Sequence, residues 1–393
     1  MKKELKFPEG FLWGSACSSY QVEGGIDNCN WSEDFPAGKA CDFWNRYEEY
    51  FDILEKLNQG VFRLSLEWSR IEPEEGKFDR EAVAHYKKML MSLRKRKIKT
   101  MVTLWHYTNP AWLTGKGGWA SFETPTYFRN YASFVAKELN PYVDFWMTVN
   151  EPMISCSHPY LLGKFPPKHK YDIIGCVKAA FNFATAHKKA YGAIKEINPQ
   201  AQVGMAENYS FVDSLYKDPL SKFIVSVWNY IRNRMLLEYT KGQQDFIGVN
   251  YYFHERIVWD VKYPFVFIRN ADKVVSELGT EIYPKGIYEV SKYLKKYGLP
   301  IYITENGIAD SKDEKRAAFI KDHLRWVHKA IQEGADVRGY LYWSLLDNFE
   351  WADGYDPRFG LVEMNYEKNS FKIRPSAFEY AKICESNKLN FGD

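Results

Sequence analysis

The 393-residue sequence predicts an α/β fold, a (β/α)8 or TIM barrel in a single domain spanning 1–393. Two observations predict it. Eight short apolar runs alternate with longer stretches of helical periodicity, the order expected of parallel βα units. Most of these runs are near-continuously apolar, as strands covered on both faces are, and no linker, repeat or low-complexity tract interrupts them.

The elements follow in order. A strand at 12–16 (LWGSA) leads to a helix over 47–59, where Phe51, Leu54 and Leu57 recur at helical spacing. The strand 61–66 precedes a helix over 80–96. That helix ends in Arg94-Lys95-Arg96-Lys97, cations suited to the negative pole of its dipole. Strands at 100–105, 145–149 and 202–206 alternate with helices at 127–139, 173–197 and 220–239. Strands at 246–250 and 301–304 alternate with helices at 284–296 and 313–333, and a strand at 339–344 completes eight. Between Asn208 and Asp245 there is room for a loop and one helix only. The helix is read as starting late, after a loop containing Asp213 and Asp218-Pro219.

Composition excludes several functions. Fifty-three basic and 50 acidic residues leave a net charge of +3 with no basic stripe, so no nucleic-acid partner is expected. Six cysteines show neither CxxC nor metal-ligand spacing. The start lacks a basic-then-apolar leader, and no apolar run reaches membrane-spanning length. A reduced, cytoplasmic protein with no membrane partner is expected. Thirteen Trp, 28 Tyr and 26 Phe fill a large core, and their number also suits a pocket that stacks on sugar rings.

Barrel enzymes place their chemistry at the C-terminal ends of the strands. The residues there are Arg63, His106, Asn150 with Glu151, Asn208, Asn250 with Tyr252, Glu305 with Asn306, and Trp343, followed by Asp347-Asn348-Phe349-Glu350-Trp351. One rim is polar and aromatic, which suits a polyhydroxylated ligand. Glu151 (TVNEP) ends the fourth strand and Glu305 (ITENG) the seventh, nearly opposite in an eight-strand barrel. Buried carboxylates are costly unless paired or used. Two of them across a barrel mouth match glycoside hydrolysis, in which one carboxyl protonates the leaving oxygen and the other attacks or activates water. A rim salt bridge is the structural alternative for either glutamate alone. A metal site is not expected, since His106 is the one strand-end histidine; His187 and His323 lie in helical patterns, as surface or packing positions.

At these residues the sequence resembles glycoside hydrolase family 1, the retaining β-glucosidase family, along almost its whole length. FPEGFLWGSACSSYQVEGG (7–25), VFRLSLEWSRIEP (61–73), TVNEP, ITENG and WSLLDNFEWADGYDPRFGLV (343–362) stand in the family's order. The resemblance implies that Glu305 is the nucleophile, Glu151 the general acid/base, and Asn150 a ligand of the sugar 2-hydroxyl. It further implies that Gln21, His106 and Glu350 bind outer hydroxyls with Trp351 beside them, and that Trp343 forms a stacking floor. Arg63 and Tyr252 would flank Glu305, keeping it ionised and oriented, with Asn250 in support; no cofactor is implied.

The resemblance also implies a small β-glycoside as substrate, glucosyl first, with galactosyl or fucosyl tolerated. Glu350-Trp351 argue against the phosphoglycosidase branch, and Glu151 against the thioglucosidases that lack it. A transglycosylating enzyme and an inactive sugar-binding relative are the alternatives. Two departures stand out. HYTNPAWL at 106–113 has Tyr107 where the family customarily has Trp. The 208–245 region, between strands 5 and 6, is abbreviated. The barrel is therefore expected to be incomplete there, lacking a regular helix or substituting a shorter one, with a more open mouth.

Overall fold

A computed structural model describes residues 3–260, 263–268 and 274–391. Eight parallel strands close into a barrel: β1 (Leu12–Ala16), β2 (Val61–Ser65), β3 (Lys99–Trp105), β4 (Phe145–Asn150), β5 (Gln202–Ser214), β6 (Phe246–Asp260), β7 (Ile301–Asn306) and β8 (Val337–Trp343). Each pairs with its sequence neighbours, and β8 pairs with β1 from Gly339↔Leu12 to Trp343↔Ala16. A short strand, Tyr263–Ile268, adds antiparallel to the far end of β6.

A helix follows each strand: α1 (Phe43–Lys56), α2 (Arg80–Lys95), α3 (Thr124–Leu139), α4 (Ile173–Ile197), α5 (Pro219–Asn233), α6 (Lys285–Leu294), α7 (Arg316–Gln332) and α8 (Pro375–Ser386). Local chemistry sets several of their starts. Asp79 and Asp172 accept backbone N–H groups of the first turns of α2 and α4. The outward faces of the strands pack against the helices in one continuous core that includes Phe62, Leu64, Val102, Val149, Ile301 and Ile303.

The barrel interior follows the period-two pleat of its strands. Val61, Met101, Phe145, Met147, Phe246, Tyr302 and Leu341 point inward and form a closed apolar layer. Two residues further along, at Arg63, Thr103 and Thr304, the inward side chains turn polar and remain almost wholly buried. Apolar filling thus supports a polar layer directly above it.

The expectation of an incomplete barrel between β5 and β6 is corrected. The two strands pair in parallel from Gly204↔Phe246 to Ser214↔Ile257, and α5 is a regular helix of 15 residues. Asp218-Pro219, read as loop, is its start: the Asp218 side chain accepts the Ser221 N–H and Pro219 occupies the first turn, where a missing N–H costs nothing. Asp213, also read as loop, belongs to β5, which runs beyond the rim. The helix expected over 220–239 breaks at Arg234, and Met235–Tyr239 continues as a separate turn. Glu151 and Glu305 lie beneath this region and stay buried, at 6% and 4% exposure.

Gly14 sits where β1 meets β2. A Cβ there would lie 1.9 Å from the Val61 carbonyl oxygen, and that backbone has no room to retreat within the barrel. Gly14→Ala is expected to destabilise the protein by about 1–3 kcal/mol, read as a lowered denaturation midpoint with an unchanged slope.

Candidate active site

Arg63 rises from the apolar floor at the centre of the polar layer, 1% exposed. Its Nε donates to Thr103 Oγ1 at 3.1 Å, Nη2 to Asn150 Oδ1 at 2.6 Å, and Nη1 to both the Thr304 carbonyl and Glu305 Oε1. Tyr252 donates its hydroxyl to the other Glu305 oxygen, Oε2, at 2.9 Å. Glu305 is thereby gripped at both oxygens. Burial nevertheless pushes its pKa up to about 7, with Arg63 opposing and Glu151 adding to the rise. The sequence-based expectation of a fully ionised Glu305 therefore holds only above about neutral pH. Its cause is desolvation, which the guanidinium offsets only in part.

Glu151 stands where the backbone leaves β4 for the short helix Pro152–Ser157, in the left-handed region at φ 47°. Tyr107 (φ 73°) and Trp351 (φ 55°) share that conformation, so three non-glycine residues of one site sit in a sparsely populated region. Glu151 Oε1 accepts from Asn208 Nδ2 at 3.0 Å and Asn250 Nδ2 at 2.7 Å, while Tyr107 donates its hydroxyl to Oε2. Asn250 also donates to Asn150 Oδ1 at 3.1 Å and accepts from Thr304 Oγ1 at 2.7 Å. The two glutamates are thus joined through Arg63, Asn150 and Asn250 into one hydrogen-bonded layer.

The remaining predicted residues line the opposite wall. Asn150 Nδ2 lies 3.2 Å from His106 Nε2, and burial followed by Arg63 drives the His106 pKa well below its usual value. The ring is neutral. With Asn150 as donor, the hydrogen sits on Nδ1, which is buried and has no protein partner. His106 stacks on Trp343 (5.8 Å) and Trp351 (6.0 Å). Trp343, joined to Ser344 by a cis peptide, donates from Nε1 to Glu350 Oε1 at 3.4 Å. Burial raises the Glu350 pKa to about 8. Gln21 is less free than the motif suggests: both N–H groups are taken by Asn348 and Phe349, and Oε1 accepts from Ser18, leaving one lone pair.

Sequence reasoning missed part of the support. Asn208 was visible as a strand-end residue, and Tyr107 as a departure from a motif, but neither as a partner of Glu151. Arg232, on α5, donates to Asn208 Oδ1 at 2.6 Å, fixing which end of that amide faces Glu151. Arg232 also lies between Glu207 (3.9 Å) and Glu255 (3.3 Å). No sequence signal marks a single arginine in a helix as inward-facing. Conversely, His187 and His323 are packing residues, bonded to Thr148 with the Gln243 carbonyl and to the Phe319 carbonyl respectively. Among the described residues no group of three or more His, Cys, Asp or Glu is placed to hold a metal ion, and no helix is long and apolar enough to cross a membrane.

The family model for glycosyl hydrolase family 1 matches residues 3–223 and 231–389. The unmatched stretch, 224–230, falls inside α5. Beta-glucosidase A of Acetivibrio thermocellus is 31% identical, with 98% of this chain and 99% of that protein covered. That alignment runs over 446 positions against 393 residues here, so this chain is the shorter. A beta-galactosidase of Sulfolobus acidocaldarius is 30% identical over 98% and 96% of the two chains. Among solved structures, a beta-glycosidase from Pyrococcus horikoshii superposes with TM-score 0.92 at 35% identity, covering 98% of this chain and 96% of that one. The family 1 β-glucosidase from Thermotoga maritima gives TM-score 0.92 at 29% identity, with 99% of each covered. The chain belongs to glycosyl hydrolase family 1 and is a glycoside hydrolase.

Two outcomes follow from the Arg232 cluster. Arg232→Ala frees the Asn208 amide to turn and is expected to lower kcat/KM about tenfold, with a near-native circular dichroism spectrum. Glu207, 4% exposed, has its pKa raised by burial to about 8, against Arg232. A carboxyl whose folded pKa lies above its usual 4.5 contributes stability at low pH that is lost as pH rises from about 4.5 to 8. Glu207→Gln lacks that loss, so its Tm relative to wild type should rise between pH 5 and pH 9, on the order of 2 °C.

Proposed function

We propose that this chain hydrolyses terminal, non-reducing β-D-glucosyl residues of small glycosides by a retaining double displacement, with Glu305 as nucleophile and Glu151 as general acid/base. The observation that carries this reading is the single buried layer in which Arg63, Asn150 and Asn250 connect two carboxyl groups at the ends of β4 and β7.

The chemistry follows from the donors around each group. Arg63 and Tyr252 hold Glu305 by its two oxygens and favour its ionised form. The ionised carboxylate attacks the anomeric carbon while Glu151 delivers a proton to the departing glycosidic oxygen. The glycosyl ester removes the charge of Glu305. Glu151, now a carboxylate, takes a proton from water, and that water displaces Glu305 from the sugar. Asn150, whose Oδ1 is saturated by Arg63 and Asn250, presents its amide N–H side to the sugar 2-hydroxyl.

Outer hydroxyls find a donor in His106 Nδ1, a lone pair on Gln21, and Glu350, with Trp351 beside them and Trp343 as the stacking floor. The unpartnered His106 N–H is costly while empty and is satisfied by a hydroxyl acceptor. Galactosyl and fucosyl substrates differ from glucosyl at this outer wall and are proposed as secondary substrates, a view that the beta-galactosidase relative supports. All six cysteines are free, which fits a reducing cytoplasmic compartment.

The test uses 4-nitrophenyl β-D-glucoside. Glu305→Gln should lose about 10⁴-fold or more in kcat, and wild-type kcat/KM should fall as pH drops below about 7, where Glu305 takes up its proton. Azide should restore turnover to Glu305→Gly and yield the α-glycosyl azide. Equal turnover in wild type and Glu305→Gln rules the assignment out, as does a β-azide product.

A further inference from the structure

The carboxyl of Glu151 is held unevenly, and the asymmetry locates its proton. Oε1 accepts from two amides, Asn208 Nδ2 at 3.0 Å and Asn250 Nδ2 at 2.7 Å. Neither amide can turn to accept instead. Arg232 donates to Asn208 Oδ1, and Asn250 gives its other N–H to Asn150 Oδ1, itself held by Arg63, so each offers only N–H to Glu151. An oxygen accepting two N–H bonds has both in-plane lone pairs engaged and cannot also carry a proton. The transferable proton of Glu151 therefore belongs on Oε2. Among the described residues, the side chain hydrogen-bonded to Oε2 is Tyr107 through its hydroxyl.

We infer that Tyr107 is a positioning residue for proton transfer: it aims Oε2 of Glu151 and donates to the carboxylate that proton transfer leaves behind. The inference rests on the reading of Glu151 as acid/base. Tyr107 is built to stay in place. Its backbone is left-handed at φ 73°, Trp31 Nε1 donates to its carbonyl at 3.1 Å, and its ring packs edge-on to Trp351 at 4.8 Å and against Phe165 at 5.9 Å. Burial, and then Glu151, hold the phenol far above its usual pKa, so it remains a hydroxyl throughout the cycle.

A hydroxyl suits both states of its neighbour. When Oε2 carries the proton, the phenol donates to its remaining lone pair and leaves that proton free to point at the leaving oxygen; when the proton has passed to the glycosidic oxygen and the C1–O bond has broken, the phenol donates to the carboxylate left behind. The donated bond favours the charged form. Without it, the carboxylate left after proton transfer loses a donor, and Oε2 is less well aimed at the leaving oxygen.

The test compares wild type with Tyr107→Phe across pH on two aryl glucosides. One is 2,4-dinitrophenyl β-D-glucoside, whose leaving group departs without a proton; the other is 4-methoxyphenyl β-D-glucoside, which requires one. The alkaline limb of kcat/KM should move up by about one pH unit, the worth of one charge-assisted hydrogen bond. The methoxyphenyl substrate should lose about tenfold more kcat/KM than the dinitrophenyl one. Tyr107→Leu, which also lacks the donor, should move the limb the same way and replaces the Phe variant if that one does not fold.

An unmoved limb, or equal losses on both substrates, overturns the inference and leaves Tyr107 a packing residue. Glu151→Ala tests the underlying reading separately. If it keeps wild-type activity on the methoxyphenyl substrate, the acid/base assignment itself fails; if it loses that activity while Tyr107→Phe does not shift the limb, only the role of Tyr107 fails.

Discussion

A guanidinium sealed inside the barrel is the constraint around which the rest is arranged. Arg63 is 1% exposed, and a buried cation without full pairing would cost several kcal/mol. Its donors are therefore distributed to Thr103, Asn150, the Thr304 carbonyl and Glu305, contributed by β3, β4 and β7. Satisfying the arginine fixes Asn150, which with Asn250 fixes Glu151. The same charge opposes the desolvation of Glu305. One residue thus links the integrity of the barrel to the placement of both carboxyls, so its removal would cost fold and chemistry together.

The repeating part of the architecture was legible because two periodicities carry it. The short apolar runs at 61–66 and 301–304 read as covered strands, and α4 was read with its observed ends. What escaped was the extension of β5 and β6 beyond the rim, where NYSFVDS lacks the continuous apolar character of a buried strand. Comparison with longer family members then turned a real shortening into an imagined gap. The Asp218 cap and Pro219 already specified a helix, and local chemistry was the better guide.

Legibility of the site divides in the same way. Residues at strand ends could be placed from sequence because a strand's last residue points to the rim whatever surrounds it. Arg232 could not: on a helix, the direction of a side chain depends on packing that one sequence does not state. Tyr107 was visible as an anomaly, but its contact with Glu151 depends on a left-handed backbone that nothing in HYTNP dictates. Protonation was harder still. The flanking Arg63 suggested that Glu305 is kept ionised, whereas burial outweighs that cation and raises the pKa to about 7, a property of the cavity rather than of the residue.

The barrel interior has a layer that is wholly apolar and, two residues above it, a layer that is wholly engaged in hydrogen bonds. The pleat keeps them apart, since alternate side chains face away. The enzyme is therefore separable in a practical sense. Val61, Met101, Tyr302 and Leu341 form a foundation whose repacking would tune thermal tolerance without meeting the ligand. The upper layer behaves as a single exchangeable module, in which replacing one member obliges its neighbours to change. Remodelling for a new substrate would accordingly succeed by transplanting that module whole rather than by editing it residue by residue.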